Sequence, residues 1–147
     1  MKPMTDEAPM SYDSNNIFAK ILRGEIPCHK VYEDAATLAI MDVMPQTDGH
    51  TLVIPKSPSR NLLDADPAAL GALMATVRKV AIAVRAAFDA EGILIKQFNE
   101  AAAGQTVFHL HVHILPRFAA ADLRPHTGEM ADHAVLAKHA EMIKRQL

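Results

Sequence analysis

Apolar residues recur at helical spacing in three parts of the chain. The first part is a short stretch capped by Asn16 and followed by Gly24, and the second begins at the N-cap residue Asp66 and Pro67 and ends near Gly92. The apolar positions are Ile17, Phe18, Ile21 and Leu22; Leu70, Leu73, Met74, Val77, Val80, Val84 and Phe88; and Leu136, Ala140, Ile143 and Leu147. The pattern predicts a short N-terminal helix, one long helix and a C-terminal helix.

Five further apolar stretches have the composition of β-strands. They cover residues 28–32, 37–41, 50–54, 93–98 and 108–115. Pro55 and Pro116 are expected to end the third and fifth strands, with loops at residues 42–49 and 99–107. Because the strands are grouped and do not alternate with helices, the pattern predicts an α+β domain with a mostly antiparallel sheet of about five strands. The last two strands are expected to form a hairpin.

Composition limits the fold and the partners. The 147 residues are 50% hydrophobic and 22% charged, which is typical of one globular domain. The net charge of −2 provides no basic field for nucleic acid or for an anionic membrane, and neither is expected as a partner. Cys28 is the only cysteine, so a reducing, cytoplasmic location is favoured. Residues 1–15 are polar and are expected to form a flexible arm before a single domain at 16–147.

Residues 108–115 alternate apolar side chains with His109, His111 and His113. On a strand, the three imidazoles share one face and stand about 6.5 to 7 Å apart, while the apolar residues face the core. The outer two rings would then be about 13 Å apart, too far for both to bind one zinc ion. The row is therefore expected to line a site without holding a metal by itself.

Three interpretations of this row are open from the residues alone. Two of its histidines with a distant ligand such as His50 would form a metal site, and an outer strand face that happens to carry histidines would need no function. The third interpretation is catalysis by imidazole, because a neutral imidazole attacks an anionic phosphate without the repulsion that a carboxylate meets. Neighbouring imidazoles would then hold phosphate oxygens or protonate the leaving group.

With its flanking stretches, this motif resembles the histidine triad (HIT) family, in its Hint-like bacterial branch. The signature of three histidines alternating with apolar residues is complete at residues 109–115. The supporting stretches at 17–27, 42–46, 49–56 and 99–108 follow in the expected order, so the resemblance covers residues 17–117. It implies a HIT-like fold. It also implies a nucleotide hydrolase or nucleotidyl transferase that acts at the α-phosphorus of nucleoside phosphoramidates or related nucleotide conjugates.

The resemblance also implies roles for single residues. His111 would be the nucleophile that forms a nucleotidyl-histidine, and His113 would contact the phosphate or the leaving group. His109 and His50 would orient these rings and shuttle protons. The implied nucleotide-binding residues are Asp42 for the ribose, Ile17, Phe18, Ile21, Met41 and Leu52 around the base, and Asn99, Gln105 and Thr106 near the phosphate. Without the resemblance, these residues would be a turn cap, a core cluster and a polar hairpin loop.

Two departures from the family pattern matter. Asn16 and Ala19 stand where many relatives have cysteines of a structural zinc site, so structural zinc is not expected, and the chemistry itself requires no cofactor. Glu100 and Ala101 replace a pair in which glycine is common, which would stiffen the loop. A purine nucleotide or nucleoside phosphoramidate and a second copy of the chain are the implied partners. The alternatives are a nucleotide-binding or scaffolding module with little turnover, or a metal-binding protein.

Overall fold

The fold is built on a five-stranded sheet that is antiparallel throughout. In this computed structural model, which describes residues 11–126 and 129–147, the strands are β1 Lys30–Glu33, β2 Thr37–Met41, β3 Thr51–Pro55, β4 Gly92–Lys96 and β5 Val112–Arg117. The helices are α1 Ile17–Leu22, α2 Pro67–Ala87 and α3 His133–Lys144, with short 3-10 turns at Leu62–Asp64 and Ala101–Ala103. The strand order is β1-β2-β3-β5-β4. The predicted α+β arrangement, including the hairpin of the last two strands, is confirmed.

Side-chain caps explain where the helices begin. Asn16, Asp66 and Asp132 each accept a hydrogen bond from a backbone N–H in the first turn of the helix that follows. These bonds satisfy donors that have no partner within the helix. The proposed arm falls largely on residues 1–10, which lie outside the described residues.

Several boundaries differ from the sequence prediction; β4, for example, spans Gly92–Lys96 and not 93–98, and α2 ends at Ala87 and not near Gly92. β5 begins at Val112 and not at Phe108, so two of the three motif histidines precede the strand. Pro116 does not end β5, because the pairing of β5 with β3 has already stopped at Ile114 and only β4 remains as a partner there. Leu147 lies beyond α3 and is exposed.

Two apolar layers lie on opposite faces of the sheet. One contains Ala39, Met41, Val53, Val112 and Ile114 together with residues of α2 and α3, and the other contains Leu38, Ile40, Leu52 and Ile54 together with Phe18 of α1. Successive strand residues point to opposite faces, so Val112 and Ile114 direct the intervening His113 towards the α1 side. The histidines therefore emerge on the face opposite the long helix.

α2 forms most of the helical layer. Its length and apolar composition would suffice to cross a membrane, but the helix has a buried face of the kind found in core helices. The buried residues are Leu73, Thr76, Val77, Val80, Ala83 and Val84. Arg78 and Lys79 interrupt the apolar run on the opposite side, where Met74 and Ile82 are also exposed.

The loop between β2 and β3 ends at Gly49, whose φ is +93°. A β-carbon built on this residue would lie 2.7 Å from Cε2 of Phe88, just after α2. Glycine alone tolerates both the positive φ and so close an approach. Because His50 follows directly, this packing fixes the point from which its side chain enters the site.

Candidate functional site

His111 and His113 form the centre of the candidate site. Their ring centroids are 5.0 Å apart, and the ring of Phe18 in α1 lies edge-on to His111 at 4.9 Å. The ring of His109 lies edge-on to Phe18 at 6.5 Å, and Leu110 packs with Val112 and Ile114 in the apolar layer on the other side of the sheet. The three histidines therefore share one face as expected, although His109 and His111 precede β5.

His109 is completely buried, and both of its ring nitrogens are engaged. Nε2 lies 2.8 Å from the carbonyl oxygen of Pro55, which can only accept, so this nitrogen carries the proton. The other nitrogen, Nδ1, is then an acceptor for the hydroxyl of Tyr12 at 2.6 Å. The ring of His109 is anchored on both sides and acts on the site through its backbone.

That backbone determines the tautomer of His111. The carbonyl oxygen of His109 lies 2.7 Å from Nδ1 of His111, which must donate to it. Burial lowers the pKa of His111, and the neutral ring therefore carries a lone pair on Nε2. No hydrogen bond from the part of the chain that the structure describes engages this atom. His111 thus has the protonation state that a nucleophile needs.

His113 has the tautomer opposite to that of His111, and a hydrogen bond from His50 imposes it. The backbone N–H of Gln46 donates to Nδ1 of His50 at 3.1 Å, so the proton of a neutral His50 lies on Nε2. Nε2 of His50 donates in turn to Nδ1 of His113 at 2.9 Å, which leaves the remaining proton of His113 on Nε2. Burial lowers the pKa of His50 to about 4 and that of His113 to about 3, and both rings are neutral at pH 7. His113 therefore presents a donor beside the acceptor of His111.

These buried neutral rings make stability depend on pH. Their pKa values of about 4 and about 3 return to 6.5 on unfolding, so the unfolded chain binds more protons in the intervening range. The stabilisation is complete above the unfolded pKa of 6.5 and is lost as the pH falls from there towards the folded values. The pKa of His126 is raised by its hydrogen bond with Asp42, so this one residue contributes to the pH dependence of stability in the opposite direction.

We expect the urea concentration at the midpoint of unfolding to decrease as the pH is lowered from about 7.5 to about 5.5. His113→Gln should weaken this dependence, whereas Lys138→Gln, at an exposed position on α3, should retain it. A midpoint that stays constant for the wild-type protein over this range would contradict the prediction.

A cavity of about 580 Å³ opens beside the rings of His111 and His113. Its apolar lining includes Ile17, Phe18, Ile21, Ile40, Met41, Leu52 and Val107, and its polar lining includes Asp42, Gln46, Lys96, Thr106, His111, His113, His126 and His133. The cavity thus brings together most of the residues implied by the resemblance. The exceptions are His50, His109, Asn99 and Gln105, which lie outside the lining.

Gln105 and Asn99 hold the loop before β5. Oε1 of Gln105 accepts from the backbone N–H of Glu100 at 2.7 Å, and its Nε2 donates to the carbonyl oxygen of Arg60 at 2.7 Å. Oδ1 of Asn99 accepts from the backbone N–H of Leu62 at 2.9 Å. Besides Gly104, this loop has a positive φ at Glu100, +74°, and not at Ala101, where the sequence led us to expect stiffening.

Sequence reasoning missed four polar residues of the cavity: Gln46, Lys96, His126 and His133. His126 donates from Nε2 to Oδ2 of Asp42 at 2.8 Å, although no role was expected for it. It arrives on an irregular segment after β5, in which the N–H of Arg124 donates to the carbonyl oxygen of Gln46 at 2.7 Å. Such a segment has no periodicity to reveal the contact. Lys96 was accessible to sequence reasoning through the register of the predicted hairpin.

Asp42, His50 and His113 bring one potential metal ligand each to within 4.8 Å of one another. A histidine that binds metal normally donates its second N–H to an acceptor. Nδ1 of His50 instead faces the N–H of Gln46, so the proton occupies Nε2, the atom that would have to bind the ion. In this arrangement the Nε2 proton of His50 faces the position that an ion would have to occupy.

The chain is similar to known proteins. Residues 23–120 match the HIT domain. The chain belongs to the HIT family. Protein hit of Bacillus subtilis is 43% identical over 108 residues, which are 74% of this chain and 74% of that protein. Adenylylsulfatase HINT3 of Arabidopsis thaliana is 38% identical over 124 residues, which are 80% of this chain and 63% of that protein.

Solved HIT structures have the same fold. A Hit-like protein involved in cell-cycle regulation from Bartonella henselae, solved with an unknown ligand, is 51% identical with a TM-score of 0.88 over 93% of this chain and all of that one. A zinc-bound histidine triad family protein from Mycobacterium smegmatis is 32% identical with a TM-score of 0.79, over 90% of this chain and 92% of that one. Membership of the HIT family supports a nucleotide-binding or nucleotide-hydrolysing activity for the cavity.

Proposed function

We propose that the protein hydrolyses nucleoside phosphoramidates or related nucleotide conjugates through a covalent nucleotidyl-histidine on His111. The observation that carries the proposal is the pairing of two neutral rings at the cavity, with a free Nε2 lone pair on His111 and an Nε2–H on His113. Nucleophilic catalysis at an α-phosphorus needs these two functions side by side.

In this proposal the nucleoside binds along the apolar part of the cavity, between α1 and the strands. The base packs against Ile17, Phe18, Ile21 and Leu52, whereas the side chain of Met41 belongs to the apolar layer on the opposite face of the sheet. Asp42 accepts hydrogen bonds from the ribose, and the hydroxyl of Thr106 donates to the phosphate. Binding at these groups aligns the α-phosphorus with Nε2 of His111, which supplies the proximity that a covalent mechanism requires.

Two steps complete the reaction. In the first, Nε2 of His111 bonds to phosphorus while the bond to the leaving nitrogen breaks, and the nitrogen takes a proton from solvent while the Nε2–H of His113 donates a hydrogen bond to the leaving group. In the second, water attacks phosphorus, its proton passes to solvent, and the bond between His111 and phosphorus breaks. His109 positions His111 throughout through the carbonyl contact at 2.7 Å.

The direct test is hydrolysis of adenosine 5′-phosphoramidate, with adenosine 5′-phosphosulfate as a second substrate because one relative is named adenylylsulfatase. We expect turnover and, after rapid acid quenching, a peptide containing His111 that carries one adenylyl group. Tight AMP binding with no hydrolysis of either compound would instead favour a nucleotide-binding module.

The proposed chemistry does not require a metal ion, and turnover is expected to survive dialysis against EDTA. This prediction follows from the tautomer of His50, which turns a proton towards the potential metal position. Because a Mycobacterium smegmatis relative was solved with zinc bound, the zinc content of the purified protein should be measured in parallel. Activity that EDTA removes and zinc restores would contradict the prediction.

We further propose a homodimer that forms through the free edge of β4 and the adjoining surface of α2. β4 pairs with β5 alone in the described sheet, and Ile95 on this strand is 40% exposed. Ile82 on α2 is 55% exposed. An unpaired strand edge beside exposed apolar side chains is a surface that a second copy can cover.

Gel filtration tests the dimer. We expect the wild-type protein to elute with the mass of two chains and Ile95→Asp to elute with the mass of one, because a buried carboxylate opposes association. Leu63→Asp, at a 76% exposed position before α2, is the matched control and should remain dimeric. A single-chain mass for the wild-type protein would rule out the dimer.

A further inference from the structure

Four residues on neighbouring strands lie opposite one another across the sheet. Ile40 of β2 pairs with Leu52 of β3, Leu52 pairs with His113 of β5, and His113 pairs with Lys96 of β4. Directly opposed residues of antiparallel strands project to the same face. The row therefore changes from apolar residues through a reactive imidazole to a cation, all on the face that bears the cavity.

Lys96 is half-buried in this cavity and has no acidic partner. Its Nζ donates to the amide oxygen of Gln46 at 2.6 Å, and no carboxylate among the described residues lies within ion-pair distance. Asp42 is the one carboxylate of the described lining, and its Oδ2 already accepts from His126. The positive charge of Lys96 is thus left for a ligand.

Gln46 holds this amine in position. Its side-chain Nε2 donates to the carbonyl oxygen of Arg124 at 3.3 Å, so its Oε1 is the atom that faces Lys96. The same residue directs the proton of His50 through its backbone N–H. Lys96 is therefore anchored to the loop that also sets the protonation of His113.

We propose that Lys96 forms a subsite for a leaving group that carries its own negative charge, a sulfate or phosphate joined to the α-phosphorus. The inference rests on the proposed hydrolysis. Phosphorus bonded to His111 puts the leaving atom near His113, and Lys96 lies on the far side of His113 from the apolar residues that receive the base. Lys96 thus faces the leaving sulfate or phosphate, on the far side of the bond that breaks.

The charge change during the reaction supports this assignment. When the bond from phosphorus to the bridging oxygen breaks, the electron pair stays with the sulfate or phosphate, which gains one negative charge. A fixed ammonium group stabilises that charge as it develops. A leaving amine takes up a proton instead and gains nothing from Lys96.

The test compares Lys96→Gln with the wild-type protein on three substrates. For adenosine 5′-phosphosulfate and for ADP, we expect kcat/KM to fall about 10- to 100-fold more than for adenosine 5′-phosphoramidate, as the loss of a charge-assisted hydrogen bond predicts. A loss with one of the two anionic substrates only would identify which oxyanion the subsite takes. Lys96→Arg should restore part of the difference, and Lys138→Gln is the surface control. Equal losses on all three substrates, or no loss, would overturn the proposal.

A binding experiment keeps this test separate from the proposed hydrolysis. In the His111→Ala background, where transfer to that ring is impossible, adenosine 5′-phosphosulfate should bind more tightly than AMP by calorimetry. Adding Lys96→Gln should abolish the difference. This result would support the subsite even if the wild-type protein hydrolysed none of the substrates, whereas equal affinities, or no binding of either nucleotide, would overturn it.

Discussion

Replacing His111 with alanine is expected to lower kcat/KM for adenosine 5′-phosphoramidate by about 10³-fold or more. The substitution removes the free Nε2 lone pair on the proposed nucleophile, while the bonds that anchor His109 and pair His50 with His113 do not involve the lost ring. The adenylyl adduct should disappear together with turnover. Steady-state kinetics and mass spectrometry of the quenched reaction measure the two effects.

The matched control is His139→Ala. His139 lies on α3 and packs edge-on against Phe88, away from the cavity. It should retain nearly full turnover, and thermal unfolding of both variants should separate lost chemistry from lost folding. An adduct that persists in His111→Ala, or a loss of activity as large in His139→Ala, would refute the role of His111.

The second large effect is expected at Gly49. Gly49→Ala should lower the free energy of unfolding by about 2 to 5 kcal/mol, because a strained φ and an overpacked ring both add to the cost. The new β-carbon would lie 2.7 Å from Phe88, and the backbone has a φ of +93°. Relief of this overlap moves the start of β3 and with it His50, so turnover should fall as well. Urea unfolding and kinetics measure the two consequences.

Gly71→Ala provides the opposite result from the same chemical change. Gly71 lies inside α2, and a β-carbon there meets no atom within 4 Å. Alanine is the better helix former, so this variant should be more stable than the wild-type protein by about 0.5 to 1 kcal/mol. Similar unfolding midpoints for the two alanine variants would show that neither the positive φ nor the contact with Phe88 is important.

Much of the fold is predictable because its determinants are local. The caps at Asn16 and Asp66 and the apolar spacing that follows predict helices without any knowledge of distant residues. The alternation around His113 predicts a strand with an imidazole on one face for the same reason. The start of β5 was misplaced because the backbone N–H of Leu110 donates to the carbonyl oxygen of Ser59, which is remote in sequence and lies outside the strands.

The candidate site is less predictable, because a polar side chain can hydrogen-bond either to a ligand or to the backbone of its own loop. Nothing in the sequence distinguishes the amide of Gln105, which the backbone of its own loop consumes, from the hydroxyl of Thr106, which faces the cavity. The contact between Asp42 and His126 joins residues 84 positions apart across an irregular segment. Long-range pairs of this kind are defined by tertiary packing alone.

The hydrogen bonds that run from Gln46 through His50 to His113 have only one possible direction. A main-chain amide cannot accept a proton, so the order of donors and acceptors along these two rings cannot reverse while the loop keeps its shape. His111 is held in the complementary sense by a carbonyl oxygen, which cannot donate. The resting protein thus stores its protons in the arrangement required for attack, and no proton has to be relocated before a substrate reacts.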